Sequence, residues 1–69
     1  MFREHDVVTV MVDVPQQGVA RGDVGAIVHC YAGRDVYEVE VLDEGGRSKG
    51  VATLSGAQLL RLNLVSLVA

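Results

Sequence analysis

Hydrophobic and polar positions alternate along most of the chain, and the period is two. From Asp6 to Val14 the residues Val8, Val10, Val12 and Val14 share one parity, while Val7, Thr9, Met11 and Asp13 take the other. That pattern predicts a β-strand with one buried face. Pro15-Gln16-Gln17-Gly18 interrupts it, because proline lacks an amide donor and glycine frees the backbone, and a polar loop continues to Asp23. Val24 to Tyr31 is apolar apart from His29, which predicts a central strand covered on both faces, with Gly22 and Gly25 at its start where a barrel bends or bulges.

A short glycine-containing connector, Ala32 to Asp35, leads into Val36–Leu42, where alternation is cleanest: Tyr37, Val39 and Val41 point inward, Glu38 and Glu40 toward water. Asp43-Glu44-Gly45-Gly46-Arg47 predicts a hairpin turn, and a fourth strand over about Ser48 to Leu54 pairs back. Ser55 then caps a segment, through Leu60, too short for a stable helix, so a single 3₁₀ or α turn is expected before a last strand beginning near Arg61. Five short antiparallel strands with one helical turn before the last is the element order of a small SH3-like barrel, and the fold class is all-β. An open sheet that dimerises through one face is the rival architecture. With no internal repeat or linker, residues 1–69 are expected to form one domain.

Composition adds a question of where the apolar surface goes. Hydrophobic residues make up 49% of 69 residues, and aromatic ones only 4%, so valine, leucine and alanine carry the apolar surface. A core this small cannot absorb all of it, and a subunit interface is the usual destination. Self-association is therefore the expectation. Nine acidic against six basic side chains leave a net charge of −3, the wrong sign for a phosphate backbone, so nucleic-acid binding is disfavoured. A lone cysteine, a polar start and the lack of a long apolar run point to a soluble chain in a reducing cytoplasm, with no membrane association.

Three stretches carry a resemblance: Asp6-Val7-Val8, Gly22-Asp23-Val24-Gly25-Ala26-Ile27-Val28 and Tyr37-Glu38-Val39-Glu40-Val41. Together they resemble the bacterial family of short stand-alone proteins described as domain of unknown function DUF4926, and the similarity runs on through Leu54 to Leu60-Arg61. The glycine-rich strand followed by Tyr-x-Val is similar also to KOW-type barrels and to the barrel of nitrile hydratase β subunits. The resemblance implies an SH3-like module and supplies no catalytic residues. A KOW-type RNA binder would carry more lysine and arginine than this chain.

The candidate chemistry is sparse. His29 and Cys30 are adjacent on a strand and point to opposite faces, so they cannot converge as nucleophile and base or as metal ligands, and no catalytic residue, metal site or cofactor is expected. Arg21-Gly22-Asp23 and Glu44 to Gly50 are read as turn chemistry. Glu38, Glu40, Asp43 and Glu44 form an acidic strip, either a docking face for a basic partner or a solvated surface. Tyr31 and Tyr37 are either an aromatic interaction platform or core fillers. The apolar segment over 62–69, with Leu64, Val65, Leu67 and Val68, either completes the barrel or forms an interface. The expected function is a non-catalytic protein-interaction or regulatory module that self-associates. The alternatives are an accessory barrel of a larger enzyme complex and, third, an RNA-binding module using Arg21, Arg34, Arg47 and Lys49.

Overall fold

The computed structural model describes residues 2–62. Its elements are β1 (Val7–Val10), a 3₁₀ turn (Pro15–Gln17), β2 (Val24–Cys30), β3 (Val36–Leu42), β4 (Ser48–Ser55), a second 3₁₀ turn (Gly56–Gln58) and β5 (Leu59–Arg61). All strand pairings are antiparallel, in one sheet of order β4-β3-β2-β1-β5. The two edge strands are consecutive in sequence and joined only by the second 3₁₀ turn, so the sheet must curl on itself: this is the SH3-like barrel. Its inner face gathers Val8, Val10, Ile27, Tyr37, Val39, Val41, Ala52, Leu54 and Leu59 into one core, with Phe2 and Cys30 packed against it.

Glycine permits the tight curl at Gly25. This residue pairs with Val8 on one side and Val41 on the other. A Cβ built on it would stand 2.4 Å from the Glu40 carbonyl oxygen and 2.9 Å from Val39 Cγ1. No side chain fits there. The β-bulge of β2 lies farther on, between Ile27 and His29.

The first strand is shorter than its alternation predicts. After Val10 the chain leaves the sheet: Gly22 N–H donates to the Val10 carbonyl at 2.8 Å, Val10 N–H donates to the Asp23 carbonyl at 2.8 Å, and Met11 N–H to that of Gln58 at 2.8 Å. Val12 is consequently exposed, not inward with Val8 and Val10. Val14 returns to the core through an isolated bridge to Val19, and Gly18 closes the turn between them in the left-handed region at φ 69°. Alternation continues through Val12 and Val14, but strand pairing stops at Val10, opposite Leu59 where β5 begins.

The β3–β4 turn is the hairpin that the glycines predict. Asp43 Oδ1 accepts from the amides of Gly45 at 2.8 Å and Arg47 at 2.9 Å, while Gly46 takes φ 79°. At the second 3₁₀ turn Gln58 Oε1 accepts from Ser55 N–H at 2.9 Å, and β5 starts at Leu59, two residues before the predicted position. The apolar segment with Leu64, Val65, Leu67 and Val68 lies outside the described residues.

Candidate interaction surface

Registers on the ladder show which side chains share the outer face of the sheet, since Cα partners in antiparallel strands project to the same side. One row runs Leu42, Val24, Thr9, Leu60; the next runs Val51, Glu40, Ala26, Val7. A third begins Thr53, Glu38, His29, with Val28 at the bulge. Val24, Val28, Val51 and Leu60 keep 38%, 43%, 58% and 51% of their surface exposed. The outer face is thus mostly apolar and uncovered by any described residue.

This corrects the two-sided reading of β2. Gly25 and Ile27 are buried, but Val24 and Val28 face out, because strands flank β2 in the sheet and no second layer of described residues lies over it. The apolar residues of β2 reveal a surface in place of a second core. Sequence reasoning missed Val24, Val28 and Val51 as surface residues. The signal was the apolar parity of β2 opposite Ile27, which a single sequence cannot distinguish from burial.

Tyr31 and Tyr37 do not form a shared platform. Tyr37 is 1% exposed, its ring edge-on to Phe2 at 5.3 Å between centroids, and its hydroxyl donates to Asp35 Oδ1 at 2.7 Å while accepting from Phe2 N–H at 3.3 Å. It is a core filler with its hydroxyl at the rim. The bond to Asp35, then burial, holds its phenol above the usual tyrosine range. Tyr31 stays outside, edge-on to His29 at 4.7 Å, and donates to Glu38 Oε2, a bond that raises its own phenol too.

Of the acidic strip, Glu38 and Glu40 do share the outer face, and neither is fully exposed. Glu38 is tied down: besides Tyr31, Thr53 Oγ1 donates to its Oε1 at 2.8 Å. Asp43 serves its turn. Glu44 belongs to a separate open depression of about 590 Å³ at one end of the sheet, also lined by Arg21, Asp23, Val24, Asp43 and Lys49. His29 is exposed and Cys30 packs against the core, so the two diverge. Among the described residues, no three His, Cys, Asp or Glu side chains group to hold a metal ion. No helix of the described residues is long and apolar enough to cross a membrane.

The family model described as Domain of unknown function (DUF4926) matches residues 4–61. The chain belongs to this family. The matched stretch of this DUF4926 member contains all five strands. Comparison with curated proteins and with solved structures finds no significant match.

Within the depression, Asp23 fastens the long loop between β1 and β2. Its Oδ2 accepts from Ala20 N–H at 2.9 Å and from Lys49 Nζ at 2.9 Å. The amide bond first, and the ammonium second, hold its carboxyl below the usual carboxylate range. The folded chain therefore binds this proton more weakly than the unfolded chain. The resulting stability is present above the ordinary carboxyl pKa and is lost as pH falls through the lowered one. Asp23→Asn is expected to flatten the acid limb of a stability-against-pH profile below about pH 4. A urea-unfolding series showing the same acid limb in both proteins would contradict this.

Proposed function

We propose that this DUF4926 domain is a non-catalytic protein-interaction module that associates with further copies of itself through the outer surface of β2, β3 and β4. The observation that carries the reading is the outer side of β2, covered by no described residue, where Val24 and Val28 stand at 38% and 43% exposure in a strand otherwise composed like a buried one. Val51 and Leu42 extend the patch across the neighbouring strands. Exposed apolar area on so small a chain favours burial against a partner, at roughly 25 cal/mol for each Å² removed from water.

A second copy is the occupant because polar groups of complementary kind flank the apolar strip: the carboxylates of Glu38 and Glu40 toward one end and the ion-paired ammonium of Lys49 toward the other. Antiparallel apposition of two such faces brings unlike charges together. A phosphate backbone fits less well, since Arg21 and Lys49 share their depression with Asp23, Asp43 and Glu44. The pairing of Lys49 with Asp23 lowers the field further. The half-buried free thiol of Cys30 suits a reducing compartment.

Light scattering over a concentration series tests the reading. The wild-type mass is expected to rise above the 7.4 kDa of one chain. Val24→Asp and Val28→Asp, each placing a carboxylate in the apolar strip, are expected to return it to the monomer value without unfolding the barrel. A wild-type chain that stays monomeric up to about millimolar concentration, where binding free energies are only about 4 kcal/mol, would refute self-association.

A further inference from the structure

The edge of β4 facing away from β3 is closed at one residue by a side chain that imitates a strand. Gln17, at the end of the first 3₁₀ turn, accepts from Thr53 N–H through Oε1 at 2.7 Å and donates from Nε2 to the Thr53 carbonyl at 2.7 Å. A primary amide thus makes, with one residue, the reciprocal pair of bonds that a neighbouring antiparallel strand would make. Thr53 is therefore built to pair with a peptide backbone, and Gln17 stands in for one.

Among the described residues, nothing pairs with the same edge two residues earlier. Backbone groups alternate along a strand, so Val51 has the phase of Thr53 and turns its N–H and carbonyl to the open side. Its side chain, at 58%, is the most exposed large apolar group among the described residues. A depression of about 90 Å³ lined by Gln17, Gly18, Lys49, Gly50, Val51 and Ala52 separates this stretch from the 3₁₀ turn. Open edges of this kind accept a further strand unless something covers them.

We infer that β4 pairs antiparallel with β4 of a second copy about a two-fold axis at Val51, and that Gln17 is the latch that restrains this pairing. The segment is self-complementary. With Val51 opposite Val51, Lys49 of one copy falls opposite Thr53 of the other, whose hydroxyl is bonded to Glu38, so the ammonium that each chain pairs with its own Asp23 is brought toward a second carboxylate on both sides of the axis. The Val51–Val51 contact forms with both latches closed. Extending the ladder to Thr53 requires Gln17 to leave in each copy. This inference rests on the self-association proposed above and adds to its face-to-face contact a second, edge-to-edge one through β4.

The test combines association with site-resolved amide exchange on the full chain. Gln17→Ala removes the two bonds of each latch and is expected to tighten association about ten-fold for each copy, the equivalent of about 1.4 kcal/mol, the size of a modest net contribution from two hydrogen bonds. At high protein concentration the Val51 amide is expected to become protected, in the wild type and more strongly in the variant. Val51→Lys leaves the backbone and the exposed position intact but sets two ammonium groups against each other at the axis, and in the Gln17→Ala background it is expected to cancel the gain.

A chain that associates while the Val51 amide exchanges equally fast at every concentration overturns the β4 pairing and leaves the outer-face reading standing. Association unaffected by Gln17→Ala overturns the latch in the same way. A chain that remains monomeric in all these variants overturns both.

Discussion

Gly25→Ala is expected to leave the chain largely unfolded. Its Cβ would lie 2.4 Å from the Glu40 carbonyl oxygen and 2.9 Å from a methyl group of Val39, and the first of these is backbone. Strands flank Gly25 on both sides, so β2 cannot step away from β3 without driving into β1. Overpacking where relaxation is blocked costs about 3 kcal/mol or more, and a domain of this length has a total stability of roughly 3 to 10 kcal/mol. Circular dichroism and urea unfolding would show the loss. A variant with a cooperative transition close to the wild-type midpoint would mean that β2 and β3 are not held this tightly.

The second expected result separates neighbouring residues of β2. Ile27→Ala should lower stability by about 2 to 5 kcal/mol, because Ile27 is fully buried at the centre of the core and the barrel cannot collapse around the missing atoms. Val28→Ala should change it by no more than about 0.5 kcal/mol in the monomer, because that side chain already faces water. Measured at low concentration, the ratio of the effects reports which face of β2 is covered. Equal losses at both positions would restore the two-sided strand that the sequence predicts and would remove the apolar face on which the proposed function depends.

The depth of these effects follows from local pattern meeting global topology. At β3 the pattern sufficed: Tyr37, Val39 and Val41 are buried and alternate with Val36, Glu38, Glu40 and Leu42 at the boundary, as the residues alone predict. The hairpin at Asp43 to Arg47 and the Ser55 turn were equally legible, because their chemistry is local and involves groups within four residues of one another. Val12 was misplaced because its burial depended on whether β1 still had a partner there. Tyr37 was readable as hydrophobic filler or as platform until the inner face of the barrel fixed the choice.

The candidate surface lay further from the sequence. The Val24, Val28 and Val51 side chains are apolar wherever they stand, and an apolar residue in a strand has the same signature whether a layer covers it or not. Gln17 and Thr53 are thirty-six positions apart, and nothing in either neighbourhood announces that one side-chain amide will seal the other's backbone.

The sequence by itself determined that this chain forms short strands, where most of them turn, and that they number five in a small barrel, because period-two alternation and glycine or proline punctuation act over a few residues. The tertiary structure alone decided which side of each strand meets protein, because that depends on strand order and curl, which bring together residues far apart in the chain. It also decided that the apolar side of β2 opposite the core, and the edge of β4 at Val51, stand uncovered by any described residue.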